Sequence, residues 1–103
     1  MYYEKPTWIT TTYNITHSNQ DVNISRYFKN LIKVEIDGVE YQMQDIPMPL
    51  LLTLGNHTIR YYVRNPYKLL YQQFRHNYQL KNITLPNTLR ILPDFVFDSC
   101  WTL

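Results

Sequence analysis

The sequence predicts a mainly β protein: a small antiparallel β module of sandwich-like hairpins, followed by one or two turns of a solenoid. Three observations carry this. Asp37-Gly38 separates two alternating runs, LIKVEI and VEYQM, and an Asp-Gly pair supplies the positive φ that a type I′ hairpin turn needs at both central positions. Ten Tyr, with many Thr, Ile and Val, favour extended backbone over helix. Residues 80–103, LKNITLPNTLRILPDFVFDSCWTL, place apolar side chains at Leu80, Ile83, Leu85, Leu89, Leu92, Phe95, Phe97, Cys100 and Leu103. Neither a helical period nor strict alternation yields that spacing. Two short strand-like runs do, broken at Pro86-Asn87 and closed by a compact turn over residues 94–100. A chain that repeats such a pattern once per turn stacks into a solenoid.

The front of the chain supplies the module. TWITTTYNIT, residues 7–16, suits a strand, and the polar cluster His17-Ser18-Asn19-Gln20-Asp21 suits a turn. Residues 22–25 make a short strand, and residues 26–30 a helical turn or a loop. In the Asp37-Gly38 hairpin, alternation puts Ile32, Val34 and Ile36 on one face, opposite Lys33 and Glu35. The proline-bearing DIPMP follows as a connector. Residues 50–54 then read as an apolar strand, Gly55-Asn56 as a turn, and residues 57–63 as the returning arm of a second hairpin.

Size and charge bound the function. A chain of 103 residues, 45% hydrophobic with two Gly, is one small domain or a cap with two coils, and it can bury a core. The net charge of +2 implies no partner by itself. Its distribution is uneven: Arg60, Arg64, Lys68, Arg75, Lys81 and Arg90 fall in a stretch free of Asp and Glu, interleaved with Tyr61, Tyr62, Tyr67, Tyr71 and Tyr78. Cations with aromatic platforms can bind single-stranded nucleic acid. No nucleic-acid fold signature accompanies them, and Arg and Lys coating an exposed face is the simpler reading, so nucleic acid is not an expected partner.

Catalytic chemistry is not expected either. His17, His57 and His76 are scattered, and no His-Cys set has zinc spacing. Two Gly cannot build a phosphate loop, so neither a metal nor a cofactor is expected. Asp94 and Asp98 read as solvated turn residues, and His57 as a turn or edge residue. The single Cys100 forms no internal disulfide and reads as a buried inner-turn residue. Asn14, Asn23, Asn56 and Asn82 head N-x-S/T sequons that matter only in a eukaryotic secretory pathway. No apolar run reaches about 18 residues, so no membrane-spanning helix is expected. MYYEKPTWITTTY lacks the basic start and apolar core of a signal peptide.

The terminal stretch resembles the repeat of the BspA-like leucine-rich repeat proteins, in which a Leu, a short strand ending in Ile-Pro, a Val or Leu, an Ile, Ala-Phe, Cys and Leu recur in order. The matching positions are Leu80, Leu85-Pro86, Leu89, Leu92, Val96-Phe97, Cys100 and Leu103; Pro93 and Val96 depart from the usual Gly and Ala. Shifted back by 23 residues, Phe97 falls on Phe74, Cys100 on Asn77, Leu92 on Leu69 and Leu103 on Leu80, with Gln72 and Gln73 breaking the match. Asn substitutes for Cys in such coils. The resemblance therefore implies an N-terminal module or cap over residues 1–64 and leucine-rich repeat coils over 65–103, degenerate over 65–79 and clear over 80–103. The β-rich front resembles, more loosely, the segment that precedes the repeats in the same family, and a module there would cap the apolar end of the first coil.

The family consists typically of bacterial surface proteins, with relatives in some protists. The resemblance thus implies a non-enzymatic binding or adhesion module at a cell surface, recognising protein or glycan through the side of its strands. The candidate contact residues are Arg60, Tyr62, Lys81, Asn82 and Thr84. The chain stops at Leu103, where a next coil is due, so Phe97, Trp101 and Leu103 form a candidate end-packing interface. The alternative is a structural or assembly component, for instance of a phage virion, that forms a homo-oligomer or packs on another chain through its C-terminal coil.

Overall fold

The structure is a computed structural model and describes residues 6–25, 28–64, 73–85 and 95–100. Its elements are β1 (Thr7–Ile15), β2 (Leu31–Ile36), β3 (Val39–Gln42), a 3-10 turn (Met43–Asp45), β4 (Gly55–Val63) and β5 (Leu80–Thr84). The protein is mainly β, as expected. Among the described residues all five strands lie in one sheet, ordered β3-β2-β4-β1-β5 with antiparallel neighbours, not in the two layers of a sandwich of hairpins.

The β2–β3 hairpin forms as the Asp-Gly signal demands. Asp37 and Gly38 take φ of 50° and 86°, matching the positive pair of a type I′ turn. The face assignment of β2 needs one correction. Leu31 pairs with Val63 and Lys33 with the adjacent Tyr62, so Ile32 is the extra residue of a bulge. Leu31, Val34 and Ile36 therefore enter the core, while Ile32 stays half-buried.

The expected second hairpin does not form. Gly55 and Asn56 are the first residues of β4, opposite Ile15 and Asn14 of β1. β4 is hydrogen-bonded to β1 on one side and β2 on the other, which leaves no edge for residues 50–54. That run is anchored elsewhere: Val22 N donates to the Leu50 carbonyl, and Leu50 N donates to Asp21 Oδ1, each at 2.8 Å. Leu50 is buried, whereas Leu51 and Leu54 are exposed. The short strand expected at 22–25 does not form either; the preceding Asp21 makes an isolated bridge with Leu51.

One face of the sheet makes the core. Alternation along β1 buries Ile9, Thr11, Tyr13 and Ile15, and along β4 buries Ile59, Tyr61 and Val63. Phe74, Leu80 and Val96 join them from the C-terminal segments. Thr11 is tolerated there because its hydroxyl donates to the Ile59 carbonyl at 2.6 Å. β5 adds to the sheet beside β1 through a bulge between Thr12 and Tyr13, which turns Leu80 inward beside Tyr13.

The C-terminal segments lie alongside one another. Phe74 N donates to the Val96 carbonyl and His76 N to the Asp98 carbonyl, both at 2.9 Å. The rings of Phe74 and Phe97 stack with centroids 5.9 Å apart, and Arg75 Nε meets Asp98 Oδ2 at 2.9 Å. The Cys100 thiol donates to the Phe74 carbonyl at 2.9 Å. Residues 65–72, 86–94 and 101–103, which hold most of the expected degenerate coil and the middle and end of the expected clear one, lie outside the described residues.

Candidate functional site

Among the described residues no element packs on the second face of the sheet, whose side chains are half-buried to exposed, and the register sorts them into rows. In the first, Gln42, Lys33, Tyr62 and Trp8 stand side by side across β3, β2, β4 and β1. In the next, Glu40, Glu35, Arg60, Thr10 and Thr84 follow one another across all five strands. Thr58, Thr12 and Asn82 make a third. Alternation produces this face: along its own strand each of these residues flanks a residue of the core or one packed against it.

The first two rows hold an aromatic and charged cluster. Trp8 and Tyr62 lie with ring centroids 4.7 Å apart, tilted by 42°. Lys33 Nζ is 5.1 Å from the Tyr62 centroid and 5.6 Å from that of Trp8, and Arg60 Cζ is 4.4 Å from the Trp8 ring. These are cation–π distances. Each cation also meets a carboxylate: Lys33 Nζ is 3.2 Å from Glu40, and Arg60 Nη1 is 3.3 Å from Glu35. The four charges cancel locally, and each side chain holds another in place.

Four of the five contact residues expected from the sequence fall on this face: Arg60, Tyr62, Asn82 and Thr84. Lys81 is exposed at the β5 bulge, outside the cross-strand rows. Trp8, Lys33, Glu35 and Glu40 belong to the cluster and were not expected. Alternation around Arg60 and Tyr62 marks the outward residues of β4 alone, and only the strand order reveals which residues of β1 to β3 stand beside them. Of the end-packing residues, Phe97 is half-buried against Phe74. Trp101 and Leu103 lie outside the described residues.

The basic stretch is described in part. Arg60 pairs with Glu35 and Arg75 with Asp98. Tyr61 is fully buried, while Tyr62 stands on the open face. Lys68, Arg90, Tyr67 and Tyr71 lie outside the described residues. Asp94 does as well.

A His-carboxylate contact escaped the sequence reading. His57 Nδ1 lies 2.5 Å from Asp37 Oδ2, and Thr53 Oγ1 lies 3.3 Å from Nε2, so the three mimic a nucleophile, a base and an orienting acid. The closer partner of Nε2, however, is the Thr53 carbonyl oxygen at 2.6 Å. Facing a carbonyl, that nitrogen carries a proton and donates it, so it is not the base that would activate Thr53. Thr58 N donates to the other Asp37 oxygen at 2.9 Å. The geometry is that of a staple between the β2–β3 turn, β4 and the preceding loop. Among the described residues no three of His, Cys, Asp and Glu gather as a metal site would require.

The chemistry of the core is structural. Ser25 N donates to the Tyr61 hydroxyl at 3.4 Å, the Tyr61 and Tyr13 hydroxyls are 2.6 Å apart, and Tyr13 donates to Asn77 Oδ1. Burial, reinforced by Tyr61, pushes the Tyr13 hydroxyl well above the usual 10.0. Burial also raises the Cys100 thiol above 9.0, and the Asp98 charge adds to it against a lowering hydrogen bond from the Asn77 backbone. A thiol held protonated is a poor nucleophile. Among the described residues no helix is long and apolar enough to cross a membrane.

The chain matches no family model, no curated protein and no solved structure.

Proposed function

We propose that the protein is a non-enzymatic binding module whose ligand, a protein or glycan, lies on the open face of the sheet. The observation that carries this is the Trp8–Tyr62 pair, held at 4.7 Å beside Arg60 on a face that the core does not use. Partly exposed aromatic and Arg side chains locked by their neighbours are the groups that anchor ligands at low entropic cost. Thr10, Thr12, Thr58, Asn82 and Thr84 surround them with hydroxyl and amide groups.

The resemblance to BspA-like repeats points the same way, toward recognition at a cell surface. The stacking of Phe74 on Phe97 and the hydrogen bonds between residues 73–77 and 95–100 support the 23-residue repeat frame behind it. The alternative, an assembly component packing on another chain through its C-terminal coil, draws support from the exposed Phe95.

The test is retention of the chain, displayed on beads, by an array of surface proteins and of neutral and acidic glycans. Combined Arg60→Ala, Tyr62→Ala and Asn82→Ala substitutions are expected to abolish retention while the chain keeps the dispersed amide spectrum of the folded parent. Retention unchanged by all three would refute the open face as the binding surface.

A further inference from the structure

We propose that His57 is a proton-operated latch on the loop before β4: the charged ring holds the Thr53 carbonyl, and the neutral ring releases it and takes the Thr53 hydroxyl instead.

The geometry is that of the charged ring. Nδ1 lies 2.5 Å from Asp37 Oδ2, and Nε2 lies 2.6 Å from the Thr53 carbonyl oxygen. A carboxylate and a carbonyl have no proton to give. Both nitrogens must therefore donate, and only the imidazolium carries two N–H groups. A neutral ring keeps one proton. It stays on Nδ1, where the acceptor is charged and the bond is the stronger of the two. Nε2 is then an acceptor facing another acceptor, and the contact with the Thr53 carbonyl turns repulsive.

Thr53 carries a replacement on its own side chain. Its Oγ1 lies 3.3 Å from Nε2, in reach but behind the carbonyl. A hydroxyl donates as well as accepts. Once the ring is neutral, a turn of the Thr53–Leu54 peptide takes the carbonyl away and brings the hydroxyl in as donor to Nε2.

The hinge for that turn stands next in the chain. Gly55 has φ of 109°, and no atom lies within 4 Å of where its side chain would begin. This glycine serves backbone conformation, not space. The earlier part of the loop is held without the ring, Leu50 by Asp21 and Val22 and Leu52 by packing on the core. The movement is thus confined to residues 53–55, and it re-aims the exposed Leu54.

The surroundings leave the switch to one proton. Among the described residues Asp37, from the β2–β3 turn, is the charged group that acts on the ring. The loop presents Thr53, which is uncharged. β1 presents Tyr13 opposite His57, a neutral phenol bonded to Tyr61 and Asn77. Glu35 and Arg60 stand in the rows of the other face. The latch is closed below the His57 midpoint and opens as pH rises through it.

The experiment follows the isotope-labelled chain by NMR from pH about 5.5 to about 9, the range that brackets a histidine midpoint, reading the His57 ring and the backbone amides together. The Leu54 amide shares a peptide plane with the Thr53 carbonyl. It is expected to shift with the midpoint of the His57 ring, while the Leu50 amide stays still. Thr53→Val keeps the carbonyl and removes the hydroxyl, so the neutral ring loses its partner and the midpoint is expected to rise. Asp37→Asn removes the charge with a residue that tolerates the positive φ of the turn, so the His57 midpoint and the Leu54 shift are expected to fall together. A Leu54 amide that stays still while His57 titrates would overturn the latch, as would a Leu54 shift that survives in His57→Gln. A midpoint unchanged or lowered in Thr53→Val would overturn the exchange of carbonyl for hydroxyl.

Discussion

His57 Nδ1 stands 2.5 Å from Asp37 Oδ2 while its Nε2 stands 2.6 Å from the Thr53 carbonyl oxygen. Both ring nitrogens thus face acceptors, and only the imidazolium donates at both. Burial alone would lower the His57 pKa. The hydrogen bonds to Asp37 and Thr53, with the Asp37 charge, outweigh it and hold the group above the ordinary 6.5.

A pKa raised by folding gives stability that is fully present below the unfolded value and is lost as pH rises through the folded one. Urea unfolding is therefore expected to show a chain less stable at pH about 8.5 than at about 6, by up to roughly 1 kcal/mol for a pair near the surface. Asp37→Asn is expected to flatten that slope. A slope that persists in Asp37→Asn would show that another group is responsible.

Tyr13 sits in the middle of a buried relay between Tyr61 and Asn77. Tyr13→Phe removes the donor to Asn77 Oδ1 without opening a large cavity. The expected loss is about 1–3 kcal/mol, the cost of leaving a buried polar atom unmatched, with an unchanged urea m-value. A loss within a few tenths of a kcal/mol would mean that Asn77 finds another donor.

Asn30 and Gln73 exchange two side-chain hydrogen bonds, at 3.1 and 2.8 Å, within the core. The single changes Asn30→Ala and Gln73→Ala are expected to be strongly non-additive, with a coupling of about 1–3 kcal/mol in a double-mutant cycle. Additive effects would show that each amide is held by other partners.

Much of the sheet was legible in the sequence and its order was not. The Asp37-Gly38 hairpin followed from turn chemistry, the strand character of β1 from its composition, and the outward setting of Arg60 and Tyr62 on β4 from the strand pattern, because all three are local properties. The Ile32 bulge depends on how β2 meets β4, and no pattern within β2 records it. Residues 50–54 look like a strand in isolation and fail to become one because β1 and β2 already occupy both edges of β4. Gln73 does not fit the expected repeat frame, and its buried amide answers that of Asn30, 43 residues away, a pairing that no local pattern records. The open face was half legible. Arg60 and Tyr62 announced themselves on β4, but their neighbours Trp8 and Lys33 lie on strands that only the fold brings together.

Phe74 is fully buried, with its ring edge-on to Tyr61 and stacked on half-buried Phe97. Phe74→Ala is expected to cost about 3–5 kcal/mol and Phe97→Ala less, because a deeper truncation leaves a larger cavity. Chemical denaturation of the two variants checks the order. Equal losses would mean that residues 73–77 depend as much on the 95–100 segment as on the sheet.

The most direct measurement is the map of amide shifts that a ligand from the array produces on the chain. The account predicts a continuous stripe through Trp8, Thr10, Arg60, Tyr62 and Asn82, with Ile9, Thr11 and Tyr61 on the opposite face shifting far less. Shifts centred on the exposed Met48, Leu51 and Leu54 of the loop before β4, with the stripe silent, would contradict it.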